Sequence, residues 1–229
     1  RLQTDYLDLY QLHWPSRGVN CFGVRDYPYE TATKEAENHL EILETLDAFV
    51  KAGTIRAIGL SNETPWGTMK YLQTANDYNL SRPVTIQNSY SLIHRGYEVG
   101  LSEVSMREDI GLLAYSPLAQ GVLSGKYLDG KSPEGSRGNL FPRFIARYMG
   151  YGSSDAVKKY QSIANKSGIT LSELSLAFVN QLPFVTSTII GATKMSQLKE
   201  NIGSIHIELS QETLKEIQEV HAMVPNPAP

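Results

Sequence analysis

The chain has 229 residues, of which 41% are hydrophobic and 20% charged, with a formal net charge of -3. This composition predicts a globular protein with a sizeable core, and the lack of a basic excess argues against a nucleic-acid partner. No apolar run reaches the roughly 18 residues of a membrane span and no signal-peptide pattern opens the chain, so neither membrane contact nor export is expected.

The first predicted element is a strand from Tyr6 to Leu12, followed by His13, Trp14 and Pro15. Because proline cannot donate a hydrogen bond to a sheet, it ends the strand and leaves His13 at the carboxyl-terminal tip. In parallel α/β proteins this edge carries the chemistry, so His13 is either a catalytic residue or a core histidine that serves packing. The strand lies so near to an amino terminus without methionine that we expect the chain to begin part-way through a fold.

A loop of mixed composition from Ser16 to Thr33 follows and contains the only cysteine, Cys21. A single cysteine cannot form an internal disulfide, which favours a reducing compartment. We therefore expect a cytoplasmic location.

The rest of the chain alternates between predicted helices and strands. Residues 34–53 carry apolar side chains at three- and four-residue spacing, which predicts a helix that ends at Gly53. A second helix begins at Thr64-Pro65, and Thr170 with Glu173 forms a capping box. The other strands are predicted at Ile55–Leu60, Val84–Gln87, Ile110–Tyr115 and Thr186–Ile190, and the other helical segments at Tyr97–Glu108, Asp155–Lys166, Leu171–Gln181, Ser196–Ile202 and Gln211–Met223.

Between Ser116 and Ser154 the chain is rich in glycine and proline and shows no clear period, which predicts a long loop covering a site. The alternation of short strands and helices predicts an α/β fold with a parallel sheet buried on both faces, in one domain over residues 1–229. Five strands cannot close a barrel, so the sheet is either an open one or the last five-eighths of a (β/α)8 barrel.

Each predicted strand ends in, or is followed by, a tip with polar or aromatic residues, at His13-Trp14, Ser61-Asn62, Gln87-Asn88, Tyr115-Ser116 and Gly191-Ala192-Thr193. Serine, asparagine and glutamine offer the donors and acceptors that a carboxamide needs, tyrosine offers a flat face for stacking, and glycine permits close backbone approach. The alternative is that these are ordinary turn residues. The five histidines share no ligand spacing, so no metal site is expected.

Four segments resemble the second half of the aldo-keto reductases, in this order: GTIRAIGLSNET, TIQNSYS, LLAYSPLAQGVLSGKY and GATKMSQLKENI. The likeness covers essentially the whole chain and is nearest to bacterial Tas-type reductases and, more distantly, to potassium-channel β subunits. It implies the C-terminal part of a (β/α)8 TIM barrel, strands four to eight, with NADP(H) as the cofactor and a small carbonyl compound as the substrate.

The resemblance also implies roles for the strand tips. His13 would orient and polarise the substrate carbonyl, Trp14 would line the substrate pocket, and Tyr115 would stack under the nicotinamide ring. The carboxamide would be held by Ser61, Asn62 and Gln87, the pyrophosphate by Ser116, Pro117, Leu118, Gln120, Gly121, Ser124 and Lys126, and the adenosine end by Gly191, Thr193, Gln197, Glu200 and Asn201.

Arg137 takes the position at which relatives of the channel-subunit kind place an arginine against the 2′-phosphate, which favours NADP. The alternative for Arg137 is a solvated loop charge. Gln197 stands where many family members have an arginine, so the cofactor preference depends on Arg137 and Lys126.

The resemblance places the family's proton-donating tyrosine, with its lysine and aspartate partners, before the point where this chain begins. We therefore expect NADPH-dependent reduction of an aldehyde or ketone by a complete protein, and no activity from this chain alone. The alternatives are a nicotinamide-binding regulatory or redox-sensing protein with little turnover, and an inactive fragment. No pattern in the sequence specifies an oligomeric state.

Overall fold

The computed structural model describes residues 3–20, 23–24, 26–30, 38–150 and 152–228. The strands are Leu7–Leu12 (β1), Ile55–Ser61 (β2), Pro83–Ser89 (β3), Gly111–Tyr115 (β4) and Val185–Thr188 (β5). The α-helices are His39–Lys51 (α1), Pro65–Asp77 (α2), Leu101–Glu108 (α3), Arg137–Leu140 (α4), Pro142–Ile145 (α5), Ser153–Lys166 (α6), Leu171–Asn180 (α7), Met195–Gly203 (α8) and Gln211–Met223 (α9). Short 3₁₀ turns lie at Gly96–Val99, Ala119–Ser124, Leu128–Gly130, Ala146–Tyr148 and Ser204–His206.

The five strands form one open parallel sheet in which each strand is hydrogen-bonded to its neighbours in the sequence, in the order β1-β2-β3-β4-β5. In the register, Leu12 lies opposite Leu60 and Ser61 lies opposite Gln87. Parallel strands in sequential order, joined by helices, are the repeating unit of a (β/α)8 barrel. The predicted α/β class is confirmed, and the sheet is consistent with part of such a barrel.

The chain divides into two compact units. Unit 1 consists of Arg1–Asn88 and Glu98–Leu113, and unit 2 consists of Ser89–Tyr97 and Ala114–Pro229. Helices α1 and α2 contribute to the core of unit 1 together with β2, and the buried members of this core are Leu43, Leu46, Ile55, Ile58, Leu60, Tyr71 and Ala75. The end of β2 is buried on both faces, as expected for an inner strand of a parallel sheet.

Helix α7 forms much of the core of unit 2, because nearly all of its residues from Leu171 to Val179 are buried. A helix that is apolar all round belongs in the interior of a protein. The predicted capping box starts it: Thr170 Oγ1 accepts a hydrogen bond from Glu173 N at 3.1 Å, and Glu173 Oε2 accepts one from Thr170 N at 2.8 Å. Both bonds satisfy backbone donors that the first helical turn leaves without partners.

Most of the predicted element boundaries are confirmed to within two residues, and Gln211–Met223 is reproduced in full. The capping residues account for this accuracy. Thr64 Oγ1 accepts from Gly67 N at 3.3 Å at the start of α2, and Ser210 Oγ accepts from Thr213 N at 3.1 Å at the start of α9. Of the predicted helix 34–53, residues 34–37 lie outside the described residues, as does Cys21, and α1 ends at Lys51 before the left-handed Gly53.

Three predictions of secondary structure need correction. The segment Tyr97–Glu108 is divided at Gly100, whose backbone is not helical and whose Cβ position would lie 3.1 Å from Pro65 Cγ. The predicted loop Ser116–Ser154 contains α4, α5 and three 3₁₀ turns. The last strand ends at Thr188, two residues earlier than predicted, near the point where its neighbour β4 ends.

Within the described ranges, no helix combines the length and the apolar character that a membrane crossing requires.

Candidate functional site

The predicted carboxamide residues of unit 1 lie together at the ends of β2 and β3. Ser61 Oγ donates to the backbone oxygen of Gln87 at 2.8 Å, and Asn62 N donates to the same oxygen at 3.0 Å. Asn62 Nδ2 donates to Ser61 Oγ at 3.2 Å. The register of β2 against β3 therefore brings Ser61, Asn62 and the Gln87 backbone to one locus.

Asn62 also joins this locus to the end of β1. Its Nδ2 donates to the backbone oxygen of His13 at 3.0 Å. Its backbone is left-handed, with φ of 55°, a conformation that asparagine tolerates better than most residues. The turn out of β2 thus directs the Asn62 amide at the residue after β1.

His13 and Trp14 both lie on the surface of unit 1. The His13 side chain is exposed, Trp14 is 44% exposed, and their ring centroids are 5.3 Å apart. A histidine that served core packing would be buried, so the structure does not support that alternative. Both rings are accessible to a small molecule.

A buried ion pair between Arg17 and Glu63 lies beside these tips. Arg17 Nη1 donates to Glu63 Oε1 at 3.0 Å and Nη2 to Oε2 at 2.6 Å, with only 11% and 4% of the two side chains exposed. Arg17 Nη2 also donates to Thr64 Oγ1 at 2.9 Å, and Asn88 Nδ2 donates to the Glu63 backbone oxygen at 2.9 Å. The paired hydrogen bonds between the Arg17 guanidinium and the Glu63 carboxylate are the most directional form of an ion pair.

The ion pair leaves no space for a side chain at Gly67. A Cβ there would lie 2.1 Å from Glu63 Oε2 and 2.3 Å from Arg17 Nη2. Arg17 fastens the chain after β1 to the start of α2, and Asn88 fastens that start to the end of β3. Sequence reasoning missed this clamp, the ion pair between Arg17 and Glu63, because residues 46 positions apart show no shared pattern in the chain.

The predicted pyrophosphate residues of unit 2 lie on an irregular turn after β4. Ser116, Ala119 and Gln120 have φ of 55°, 48° and 57°, and Gly121 has φ of 96°. Left-handed backbone in several non-glycine residues is uncommon and clusters at functional sites. Backbone bonds stabilise the turn, including Gly121 N to the Leu118 oxygen at 2.8 Å.

Side chains reinforce the same turn. Gln120 Nε2 donates to Ser116 Oγ at 2.9 Å, and Ser124 Oγ donates to the Gly121 oxygen at 2.8 Å. Among the predicted pyrophosphate residues on this turn, Pro117 is buried and Leu118 is half-buried. The turn is thus a compact, internally bonded structure rather than an open loop.

Two cationic side chains converge on this turn. Lys126 crosses Gly121 so closely that a Cβ at position 121 would lie 2.9 Å from both Lys126 Cε and Nζ. Arg137 Nη1 donates to Gln120 Oε1. An ammonium and a guanidinium beside left-handed backbone form an arrangement suited to phosphate groups.

The predicted adenosine residues lie in the loop before α8 and along α8 itself. Gln197 Oε1 accepts from Thr193 N at 3.1 Å and from Thr193 Oγ1 at 3.3 Å. Glu200 Oε1 accepts from the α7 cap hydroxyl of Thr170 at 2.6 Å, and Asn201 is 6% exposed. These contacts explain how Gln197 and Glu200 stabilise the loop before α8 and the cap of α7.

Gly191 and Tyr115 complete the set of predicted cofactor residues in unit 2. The Cβ position of Gly191 faces open space, so no contact within the described chain requires glycine there. The Tyr115 backbone oxygen accepts from Tyr90 N at 3.2 Å, and its side chain is half-buried. Among the residues that the structure describes, no group of three or more His, Cys, Asp or Glu side chains could hold a metal ion.

Comparison with known proteins gives the chain its relatives. The sequence pattern of the Aldo/keto reductase family matches residues 1–222. The chain is 52% identical over 229 residues to "Protein tas" of Escherichia coli K12, covering 100% of this chain and 66% of that protein.

Two further relatives are similar over most of the chain. It is 40% identical over 213 residues to an "Aldo-keto reductase" of Babesia bovis, which covers 88% of this chain and 75% of that protein. It is also 30% identical over 232 residues to a "Putative voltage-gated potassium channel subunit beta" of Schizosaccharomyces pombe, which covers 98% of this chain and 62% of that protein. A match of this extent shows that the chain belongs to the aldo/keto reductase family.

Proposed function

We propose that the protein to which this chain belongs reduces an aldehyde or ketone with NADPH, and that this chain supplies most of the cofactor site. The observation that carries the proposal is the turn after β4, on which Lys126 and Arg137 converge beside Gln120 and the left-handed Gly121. Two cations held against one irregular turn are what a dinucleotide phosphate requires. Membership of the aldo/keto reductase family supports the oxidoreductase class.

The proposed cofactor residues of each unit have roles that suit their chemistry. In unit 1, Ser61, Asn62 and Gln87 bind the nicotinamide carboxamide, since they offer hydroxyl and amide donors and acceptors. In unit 2, Tyr115 stacks on the nicotinamide ring, the turn residues Ser116–Lys126 bind the pyrophosphate, and the residues Gly191–Asn201 bind the adenosine end.

The preference for NADP over NAD depends on Arg137 in this proposal. Guanidinium groups bind phosphate through paired, directional hydrogen bonds. Arg137 lies on the surface, so it can reach a 2′-phosphate, and its bond to Gln120 holds it near the proposed pyrophosphate residues.

His13 is the residue of this chain that acts on the substrate. NADPH, when bound, supplies the hydride that reduces the carbonyl carbon. The His13 imidazole donates a hydrogen bond to the carbonyl oxygen and stabilises the negative charge that develops there. Trp14, 5.3 Å from His13, lines the adjacent pocket.

The proposal is tested by titrating the protein with NADPH and following tryptophan fluorescence and nicotinamide emission. The matched variants are Lys126→Gln, and Lys215→Gln on the exposed face of α9 as the control. Saturable NADPH binding that weakens about tenfold only in Lys126→Gln is expected. Absence of NADPH binding, or equal effects of the two variants, would contradict the proposed cofactor site.

A regulatory, nicotinamide-binding protein with little turnover is the second candidate. The similarity to a protein named as a potassium-channel β subunit, over 98% of this chain, favours it. The two candidates predict the same binding of NADPH but different rates of turnover. Multiple turnovers of NADPH with a panel of aldehydes support the enzyme, whereas tight binding with at most one slow turnover supports the regulatory protein.

A further inference from the structure

The Tyr127 side chain lies between two glycines of the proposed phosphate-binding region. It is 3% exposed, and its Oη accepts a hydrogen bond from Gly138 N at 2.8 Å. The Cβ position of Gly138 would lie 2.8 Å from Tyr127 Cε1, and that of Gly121 would lie 3.6 Å from Tyr127 Cε2. The two edges of one ring thus contact two separate segments of unit 2.

Each of these glycines adjoins a proposed phosphate ligand. Gly138 follows Arg137, and Gly121 follows Gln120, the residue to which Arg137 donates. On the Gly138 side the packing admits no side chain, because a Cβ would also lie 2.5 Å from Ile145 Cδ1. The backbone beside Arg137 is therefore held against Tyr127 and Ile145 at close range.

The same ring adjoins the second cation. Lys126 Nζ lies 5.3 Å from the Tyr127 ring centroid, within the range of a cation–π interaction. Tyr127 therefore lies beside both cationic residues of this region: it adjoins Lys126 and contacts Gly138, which follows Arg137. Its hydroxyl is the only part of the ring that can bond the Arg137 segment directionally.

We propose that Tyr127 is a positioning residue that sets the preference for NADP by fixing Arg137 through its hydrogen bond to Gly138. This inference rests on the proposed cofactor site. Without the hydroxyl, Gly138 N is buried without this acceptor and the start of α4 loosens, so Arg137 samples positions from which it cannot bind a 2′-phosphate. Lys126 and the turn at Gly121 keep their own contacts, so the part of the site shared by NADPH and NADH is unchanged.

The test is the variant Tyr127→Phe, which keeps the ring and removes only the hydroxyl. Tyr160→Phe is the matched control, because Tyr160 is 1% exposed and its hydroxyl donates to the Leu92 backbone oxygen at 3.2 Å, away from the proposed ligands. Dissociation constants for NADPH, NADH and adenosine 2′,5′-bisphosphate are measured by fluorescence titration and competition. Amide hydrogen exchange at Gly138 is measured in parallel without nucleotide.

In Tyr127→Phe we expect the dissociation constants of NADPH and the bisphosphate to rise about 5- to 20-fold, that of NADH to change less than about twofold, and Gly138 N–H to exchange faster. The control should leave all of these unchanged. Equal weakening of NADPH and NADH, or unchanged Gly138 exchange, would overturn the positioning role while leaving the proposed function intact. A complete wild-type protein that binds neither dinucleotide would instead overturn the proposed function and this inference together.

Discussion

The two groups of proposed cofactor residues are held in place by different means. In unit 1, Ser61, Asn62 and Gln87 stand at the ends of regular strands, and the sheet register brings them together. In unit 2, Gln120 stands on a left-handed turn, and Arg137 begins the short helix α4, which donates to the Tyr127 hydroxyl through Gly138 N. Strand tips are thus placed by the fold itself, whereas the residues proposed to bind phosphate are held by local turn and side-chain contacts.

The largest expected effect is on the stability of unit 1, through its buried clamp. Glu63→Gln leaves the Arg17 guanidinium without its carboxylate, and breaking a buried pair in this way costs about 3–5 kcal/mol. Urea unfolding measures the change. Glu103→Gln is the control, because its ion pair with Arg107 is exposed and should contribute less than about 1 kcal/mol. Similar losses in both variants would refute the distinction between the two pairs.

The next prediction tests whether His13, at the tip of β1, acts in catalysis. His13→Ala removes the donor proposed to stabilise the reacting carbonyl oxygen, and loss of one such donor costs about 10²–10³ in turnover. Steady-state NADPH oxidation with an aldehyde, catalysed by the complete protein, measures it, and NADPH affinity should stay within about threefold. His206→Ala, an exposed histidine on a 3₁₀ turn of unit 2, is the control. Unchanged turnover would remove His13 from the mechanism.

The stability of the two units should depend on pH in different ranges, because the pKa values of His94 in unit 2 and Asp47 in unit 1 are lowered to different values. Burial and the nearby Arg147 cation lower the pKa of His94 in unit 2 from 6.5 to about 4. The unfolded chain therefore binds this proton first, so stability falls as the pH drops from about 6.5 to about 4, by roughly 3 kcal/mol in total. Urea unfolding at several pH values should show a shallower slope in this range for His94→Gln.

A second acid-sensitive group lies in unit 1. Hydrogen bonds from Lys51 and Ser81 lower the pKa of Asp47 from 3.8 to about 2. Its contribution to stability is present above the unfolded pKa and is lost as the pH falls through about 2. Asp47→Asn should therefore flatten the stability profile only below pH 4, outside the His94 range. A change in the same range as His94→Gln would contradict the assignment.

The smallest expected effect concerns cofactor choice in the irregular group. Arg137→Ala should raise the dissociation constant of NADPH about tenfold, or about 1.4 kcal/mol, and leave that of NADH within about twofold. Arg143→Ala is the control, because its guanidinium stacks on Phe144 at 4.9 Å from the ring centroid. Fluorescence titration measures both cofactors. Equal losses for NADPH and NADH would show that Arg137 does not recognise the 2′-phosphate.

The sequence by itself determined the parts of this protein that depend on short-range patterns. Alternating apolar runs predicted the strands and helices, and capping residues such as Thr64 and Ser210 fixed the starts of helices, because a cap bonds backbone donors only two or three residues away. The same local logic located the strand tips. Polar residues at the carboxyl end of a parallel strand lie at the edge of the sheet, whatever surrounds them.

Only the tertiary structure decided the contacts between distant residues. Gly100, where the segment is divided, lies against Pro65, and the clamp joins Arg17 to Glu63 across 46 positions. The bond between Tyr127 and Gly138 likewise depends on how the start of α4 folds back on a residue 11 positions earlier in the chain. Such contacts leave no periodic trace in the chain, because their partners are chosen by packing in three dimensions rather than by spacing along the backbone.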